Sequence, residues 1–483
     1  MSENKTSFKP TLGLVDGTMI VAGSMIGSGI FIVSADMLRN IGGAGWLIAA
    51  WLITGFMTIT AAVSYGELSG MFPKAGGQYV YLKEAYNPLI GFLYGWSFFS
   101  VIQTGTIAAV GVAFSKFAAY VVPESWKPFV SEDNKLLTLP ITDHYTFTVS
   151  SAQVVSILLI AFLTYTNTRG LKGGRLIQNI FTSTKLLSLF GLIIVGFAMF
   201  KPEVWHANWL NGWQAAKENN GVMTPITGGV LLGGIAAAMV GSVFSSDAWN
   251  NVTFIAAEIK KPQRNIGLSL FFGTLIVTVI YVSINFVYLS TLPVNDIMHA
   301  EKDRVAIAAS NVIFGSAGAV IIGLMIMVST FGCNNGLILA GARVYYTMAK
   351  DNLFFKQAGT LNKNAVPAWA LWAQCIVACI LCLSGTYGNL LDMISFVVVI
   401  FYVLTIVGIF ILRVKRPDMQ RPYKAFGYPV LPILYILMGV SFCTLLLIYK
   451  QEYTWGGLVV VIIGIPIYFI AHANKKKAGA VSN

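Results

Sequence analysis

Hydrophobic residues recur along this chain in long runs separated by short polar segments. About a dozen runs between Leu12 and Phe469 are long enough to cross a bilayer, because about 20 helical residues span the hydrocarbon core. We therefore predict an all-α integral membrane protein with 12 transmembrane helices. No separate soluble domain interrupts the pattern.

Two of the predicted spans, the first and the sixth, carry small or polar residues at their centres. These segments are Gly23 to Phe31 and Phe244 to Asn250. Glycine costs about 1 kcal/mol relative to alanine in a helix, so a local break is favoured. Gly23 and Gly27 alone would also fit a close contact between helices. Two interrupted spans together are typical of transporters that bind substrate at the membrane midplane.

The positions of the breaks predict the internal organisation. Each break opens a block of five helices, which indicates two inverted repeats. We assign residues 11–200 to the first repeat and residues 225–413 to the second. Residues 428–473 form the last two helices, and residues 1–10 and 474–483 form cytoplasmic tails.

Charge indicates the orientation of the helices. Of the 483 residues, 56% are hydrophobic and 11% are charged, whereas soluble domains have about 25% charged residues. If both termini lie on one side, that side holds 22 of the 32 lysines and arginines and the opposite loops hold eight. This bias predicts cytoplasmic termini in a cell (inner) membrane, and we expect no nucleic-acid partner.

The cysteines and histidines indicate no disulfide framework, haem or metal site. All five cysteines fall within apolar runs, and the four histidines lie in loops or at a helix end. A metal or haem site in the membrane needs ligands that project from the spans. We therefore expect no cofactor and no metal.

The two breaks predict a binding site for an α-amino acid. Unpaired amides near Ser28 and Gly29 would bind the carboxylate. Carbonyls freed by the breaks would accept from the ammonium group, and they lie near Met25, Ile26, Phe244 and Ser245. A substrate lacking either charge would leave buried backbone groups unpaired, at a cost of about 1 to 3 kcal/mol each.

Two charged residues fall inside predicted spans. Lys185 is costly in a bilayer unless it faces a cavity or a partner, and the alternative is a snorkelling lysine. Asp247 lies at the second break. It would contact a substrate ammonium or a cationic side chain, carry a proton, or cap the inner half of the sixth helix.

Polar residues on other spans are candidates for lining the substrate cavity. For each, the alternative is a hydrogen bond between helices. They are Gln103, Thr104 and Thr106 in the third span, and Asn334 and Asn335 in the eighth.

Three segments carry a family resemblance. They are GSGIF at residues 27–31, YGEL through FPKAGGQY at residues 65–79, and DAWN at residues 247–250 with Glu258 and Pro262. In combination they resemble the amino acid-polyamine-organocation (APC) superfamily. Within it, the closest resemblance is to the L-type amino-acid transporters and their bacterial relatives, and it covers nearly the whole chain.

The resemblance implies the LeuT-type fold, with the last two helices outside the repeats. It also implies that the substrate carboxylate binds at Ser28 and Gly29 and that the amino group binds near Met25 and Phe244. Phe244 would then act as an aromatic lid and gate.

The resemblance also implies roles for residues at three other positions. In similar transporters a lysine at the place of Lys185 links the first helix to the eighth, where sodium-coupled relatives hold an ion. A fixed cation at that place disfavours sodium coupling. Many relatives have glycine or serine at the place of Asp247, and some that accept cationic amino acids have aspartate. Val398 occupies a place where some large-neutral transporters carry a polar group.

A cysteine in the loop between helices three and four joins the animal members to a glycoprotein heavy chain. Residues 122–148 contain no cysteine. We therefore expect no disulfide-linked heavy chain.

The function expected from these features is sodium-independent exchange of neutral L-amino acids by alternating access. One alternative is a proton-coupled symporter that uses Lys185 or Asp247. Another is a carrier of cationic amino acids or polyamines that uses Asp247. No HExxH, GxSxG or P-loop motif occurs in the spans, so an enzyme is not expected.

Overall fold

A computed structural model describes residues 10–142, 145–170, 174–384 and 387–480. Helices dominate these residues. In chain order they are α1 (Leu14–Met25), α2 (Ser34–Ile41), α3 (Ala44–Met71), α4 (Gln78–Ala85), α5 (Pro88–Ser97), α6 (Gln103–Val121), α7 (Ser151–Thr168), α8 (Gly174–Ala198), α9 (Pro202–Leu210), α10 (Gly228–Ser245), α11 (Asn251–Phe254), α12 (Pro262–Thr291), α13 (Val294–Met298), α14 (Val305–Lys350), α15 (Ala368–Ser384), α16 (Tyr387–Lys415), α17 (Val430–Tyr449) and α18 (Gln451–Ala480).

Most of the long helices are apolar enough to cross a membrane. Ten such stretches occur among the described residues, in α3, α5 with α6, α7, α8, α10, α12, α14, α16, α17 and α18. The apolar helices α1 and α15 are shorter. The chain is therefore a multi-pass membrane protein, as predicted.

The ends of the chain are described only in part. Residues 1–9 and 481–483 of the predicted tails lie outside the described residues. α18 extends to Ala480, so the last helix runs through most of the predicted C-terminal tail.

Two antiparallel hairpins were not predicted from the sequence. β1 (Lys135–Thr142) pairs with β2 (Tyr145–Ser150), and β3 (Ala216–Asn219) pairs with β4 (Val222–Pro225). Ion pairs join both hairpin regions to the segment after α13, since Glu218 contacts His299 and Asp133 contacts Lys302. Both hairpins therefore lie on one side of the bundle, which we call the outer side; α1 begins on the inner side.

Both predicted breaks are present. α1 ends at Met25, and a 3-10 turn (Gly29–Phe31) leads towards α2. α10 ends at Ser245, and the chain continues through the four-residue α11 and a second 3-10 turn (Ala256–Glu258). The inner half of the sixth span is therefore shorter and less regular than we predicted.

Two other long helices are irregular. The third span contains a π-helical turn (Phe98–Ile102), which separates α5 from α6. In α14 the helix is interrupted at Gly315, whose φ of 73° is unfavourable for residues with a side chain. This interruption separates the first turns of α14, which begin at Val305, from the rest of the helix.

Helix packing brings the two breaks together. α12 packs along α1 and α3, whereas α14 packs along α6 and α8 and α10 packs on α2. The contact between α1 and α12 is close, because a Cβ atom at Gly273 would lie 2.5 Å from Cβ of Val21. The breaks are therefore buried between α12 and α14 rather than facing lipid.

Candidate functional site

Lys185 of α8 holds the first break. Its ammonium group donates to the carbonyls of Gly23 at 2.8 Å and Ile26 at 2.9 Å, and the side chain is fully buried. The two carbonyls lie where α1 ends, and carbonyls at a helix end lack intrahelical partners. Lys185 is therefore a partnered intramembrane cation, and the snorkelling alternative is wrong.

The eighth span also contacts this break. Cys333 of α14 lies with its Sγ 3.5 Å from the carbonyl oxygen of Ser24. Together, Lys185 and Cys333 connect α8 and α14 to the unwound segment. The resemblance had implied that the lysine itself links the first helix to the eighth, whereas here the contact from α14 is made by Cys333.

Tyr281 of α12 is a site residue that the sequence analysis missed. Its buried hydroxyl lies 3.0 Å from the carbonyl of Met25 and 3.1 Å from the carbonyl of Ser245. A hydroxyl has one proton to donate, so the two carbonyls share this donor. A tyrosine in the middle of an apolar span could have been singled out, because a buried hydroxyl needs a hydrogen-bond partner.

The amides at the first break are available to a ligand. Among the described residues, no hydrogen bond has the amide of Gly27, Ser28 or Gly29 as its donor. Ser28 itself is fully buried, and its Oγ lies 3.1 Å from the hydroxyl of Tyr387. These donors are of the kind that the predicted carboxylate site requires.

The two breaks touch at Gly29 and Ser245. A Cβ atom on Gly29 would clash with Oγ of Ser245. The added atom would also lie 2.7 Å from Cβ and 3.0 Å from Cα of Ser245. Only glycine fits at this position, because both side chain and backbone of Ser245 are in the way. The amides of the first break thus lie beside the carbonyl end of α10.

Asp247 carries the negative charge of the second break. Its side chain is buried, and its carboxylate accepts a hydrogen bond from the hydroxyl of Tyr402 on α16. The N-cap residue of α11 is Asn250, which makes no side-chain capping bond. The predicted capping role of Asp247 is therefore not the one that the structure shows.

The inner side of this break is held by amides. The side chain of Asn250 donates to Gln78 of α4 at 2.9 Å, and Gln78 donates to Thr405 of α16 at 3.1 Å. Phe244 lies at the other end of the break, and its buried ring contacts the ring of Tyr387 edge-on, with centroids 6.0 Å apart.

A cavity of about 700 Å³ extends from the inner side to the breaks. Its inner end is lined by Thr11, Glu258 and Arg343, and it reaches Ser24 and Asn251 at the breaks. The ion pair between Arg343 and Glu258, 2.8 Å long, lies at this inner end. The first break is therefore approached from the inner side.

A second pocket, of about 10 Å³, lies beside Asp247. Gln103, Thr106 and Val398 line it. The Gln103 side chain also donates to the carbonyl of Leu337 on α14 at 2.6 Å, which is the alternative of a bond between helices. A volume of this size holds about one water molecule. It adjoins the second break rather than the first.

The other predicted lining residues have mixed outcomes. Asn335 lines the large cavity and accepts from Asn167 at 2.8 Å. Asn334 lines neither cavity and donates to the carbonyl of Ile107 at 3.2 Å, which is the alternative of a bond between helices. Thr104 also lines neither, because its hydroxyl donates to the carbonyl of Phe99 at the π-helical turn.

Comparison with protein families identifies the molecule to which this site belongs. The family model described as amino acid permease matches residues 12–469. The chain belongs to the amino acid permease family. This permease is therefore a transporter of the APC superfamily and not an enzyme, as the sequence predicted.

Named relatives cover almost all of the permease. It is 26% identical over 475 residues to the large neutral amino acids transporter small subunit 2 of Homo sapiens, with 96% of this chain and 81% of the relative covered. It is 27% identical to the b(0,+)-type amino acid transporter 1 of Mus musculus, with 96% and 88% covered. It is 28% identical to the serine/threonine exchanger SteT of Bacillus subtilis (strain 168), with 99% and 100% covered.

Proposed function

We propose that this permease exchanges neutral L-amino acids across the cell membrane by alternating access and without sodium. The observation that carries the proposal is the contact between two broken helices that differ in chemistry. Free amides near Ser28 lie beside the carbonyl end of α10 at Ser245. Together they offer donors and acceptors to the adjacent opposite charges of an α-amino acid.

The architecture that we propose is the LeuT-type fold with 12 membrane spans. The ten long stretches account for ten spans, and α1 with α2 and the shorter α15 supply the other two. Residues 11–200 and 225–413 then form inverted repeats, residues 428–473 add two helices, and both termini are cytoplasmic. The inner side is accordingly the cytoplasmic side.

The substrate carboxylate binds at Ser28 and Gly29 in this proposal. The ammonium group binds the carbonyls of Met25, Ile26, Phe244 and Ser245. Three of these carbonyls already accept from Lys185 or Tyr281. A carbonyl has two lone pairs, so each can still accept from a substrate.

Lys185 supports the absence of sodium coupling. Its ammonium group occupies the carbonyls of Gly23 and Ile26, and backbone carbonyls of unwound helices are the groups that coordinate Na⁺ in transporters of this class. A fixed cation at that position repels a second one.

Exchange, rather than one-way uptake, is supported by a relative. The Bacillus subtilis protein is named as an exchanger, and it aligns with the permease over its whole length. A gating role for Phe244, Lys185 and Asp247 remains part of the same proposal. We expect no cofactor, and we expect no disulfide-linked heavy chain, because residues 122–148 lack cysteine.

Counterflow in proteoliposomes tests the proposed exchange. Vesicles loaded with unlabelled neutral amino acids should take up a labelled one, and vesicles without internal amino acid should not. The rival proton symporter predicts accumulation when only a pH gradient is imposed. That result would replace exchange with proton coupling through Lys185 or Asp247.

A second candidate function is the transport of cationic amino acids or polyamines. Asp247 favours it, because this buried carboxylate lines the small pocket at the second break. Asp247→Asn keeps an oxygen for the Tyr402 hydroxyl but removes the charge. If the carboxylate selects cationic substrates, this variant loses arginine and lysine transport and retains alanine transport.

Asp392→Asn is the matched control for that experiment. Asp392 is another acid within the bundle, on α16, but it lies 3.5 Å from Lys450 rather than at a break. It should leave the ratio of arginine to alanine transport unchanged. An equal loss of both substrates in the Asp247→Asn variant would instead indicate a role in closing the helix break.

A further inference from the structure

Tyr387 contacts both breaks from the outer side. It is the first residue of α16, and its side chain is 6% exposed. Its hydroxyl lies 3.1 Å from Oγ of Ser28 at the first break, and its ring packs edge-on against Phe244 at the second. Neither the motifs nor the predicted cavity residues had pointed to this tyrosine.

A series of charged side chains connects the Tyr387 ring to the outer surface. The ammonium group of Lys116, at the outer end of α6, lies 5.6 Å from the ring centroid, within reach of a cation–π interaction. Lys116 also lies 3.8 Å from Glu132 in the loop before β1. The neighbouring Asp133 forms an ion pair of 2.6 Å with Lys302. The position of the ring is thus tied to the outer loops.

The two sides of the site differ in access. On the inner side, the large cavity reaches Ser24 and Asn251. On the outer side, Tyr387 contacts the fully buried Ser28 and packs against the ring of Phe244. An ion or substrate arriving from outside would have to displace these two rings.

We infer that Tyr387 is the outer gate of the substrate site. It is a positioning residue that holds the Ser28 hydroxyl while the inner cavity is open. A carboxylate that arrives from outside competes for the same hydroxyl, so the bond between Ser28 and Tyr387 breaks as the outer path opens. The inference rests on the proposed alternating access, and it adds the residue that controls the outer face.

Access of a thiol reagent to the site tests this gate. Ser24→Cys places a thiol on the wall of the inner cavity, in a background where all five native cysteines are replaced by alanine. A membrane-impermeant reagent is applied to the outer or the inner face of oriented vesicles without substrate. In the protein that retains Tyr387, the thiol at position 24 should be labelled readily from inside and only slowly from outside.

Tyr387→Phe removes only the hydroxyl and keeps the ring. Loss of one hydrogen bond that is made only in the closed state should raise the labelling rate from outside about threefold to tenfold. The rate from inside should fall or stay constant. The half-saturating substrate concentration should decrease at the outer face relative to the inner face, a difference that general destabilisation would not produce.

Tyr453→Phe is the control, because it removes a tyrosine hydroxyl that accepts a hydrogen bond from Asn389 at 2.7 Å, near the same end of α16 but away from both breaks. It should leave outside labelling at the wild-type rate. Lys116→Met is the second variant. It removes the cation beside the Tyr387 ring and should also increase outside labelling while leaving the Ser28 contact possible.

Two results would contradict the assignment of Tyr387 as the outer gate. One is an unchanged outside rate in both Tyr387→Phe and Lys116→Met. The other is an equal increase from the two faces, which indicates a loosened bundle. Labelling requires no substrate, so a failure of amino-acid exchange in the wild type would reject the proposed function without deciding the gate.

Discussion

The two broken spans of this permease are held open by opposite chemistry. At the first break, donors satisfy the freed carbonyls, through the cation of Lys185 and the hydroxyl of Tyr281. At the second break, the charged group is the carboxylate of Asp247, which accepts from Tyr402. A break in a membrane helix is stable only if its polar groups have partners.

The difference explains how one site can bind two charges. At the first break the amides near Ser28 donate to no protein group among the described residues, so they are the groups available to an anion. At the second break the protein supplies a carboxylate and carbonyl oxygens, which suit a cation. The following experiments separate these roles, beginning with the largest expected effect.

Replacing Lys185 with methionine should abolish exchange. The carbonyls of Gly23 and Ile26 would lose their only side-chain donor among the described residues, and each unpaired buried group costs about 1 to 3 kcal/mol. The measurements are counterflow and thermal unfolding in detergent. Lys201→Met, at an exposed position just beyond α8, should match the wild type. Normal exchange by the Lys185 variant would show that the cation does not maintain the break.

Gly29→Ala should strongly reduce exchange by pushing the two breaks apart. The added methyl group would overlap Ser245, and overpacking of this kind costs about 1 to 3 kcal/mol. Gly191→Ala is the control, because a Cβ there meets no atom within 4 Å. Adding Ser245→Gly should restore part of the activity. Wild-type activity of Gly29→Ala alone would contradict the close contact of the breaks.

Tyr281→Phe should raise the half-saturating substrate concentration about tenfold, because one buried donor shared by two carbonyls is lost. Tyr288→Phe provides the comparison on the same helix, since among the described residues its hydroxyl donates to a single carbonyl, that of Ile30, at 3.1 Å. Its effect should be smaller. Equal effects of the two substitutions would argue against a bridging role for Tyr281.

The smallest effect is expected from a contact in the outer loops. A hydrogen bond that the His299 ring donates to the Glu218 carboxylate raises the pKa of His299 above its ordinary value of 6.5, assisted by the carbonyl of Asn295 and opposed by burial and by Arg39. Because the folded-state pKa is raised, the stabilisation is complete below the ordinary value and is lost as pH rises through the raised one. The side chain of His299 is half exposed, so the effect is small.

His299→Gln tests this contact. Its unfolding temperature should fall below that of the wild type at acidic pH, and the two should converge as pH increases. Glu218→Gln should remove the same pH dependence. A difference that persists unchanged at alkaline pH would show that protonation of His299 does not contribute.

The sequence predicted the breaks because their signal is local. Glycine, serine and aspartate at the centre of an apolar span are unfavourable for a continuous helix there, and α1 and α10 end within those segments. Lys185 was recognisable for a related reason, since a lysine inside the bilayer needs a partner.

Other features depend on contacts between distant parts of the chain. Tyr281 and Tyr387 bind carbonyl or hydroxyl groups more than 250 residues away in sequence, and no spacing rule identifies such pairs. The hairpin β1–β2 is different, because residues 137–142 and 145–150 alternate apolar and polar side chains. That local strand signal was present in the sequence, and our prediction missed it. Asn334 and Asn335 are adjacent polar residues, and only the packing of α14 decides that Asn335 alone lines the cavity.

The most direct measurement is competition by substrate analogues in the counterflow assay. A neutral amino acid, its amide and its N-acetyl derivative share one side chain but differ in their charges. We predict that the amino acid competes and that neither derivative does. The amide lacks the carboxylate and the N-acetyl derivative lacks the ammonium group, so each leaves one charge-binding part of the site without its partner. Competition by the amide or by the N-acetyl derivative at the same concentration as the amino acid would contradict a site built from the two breaks.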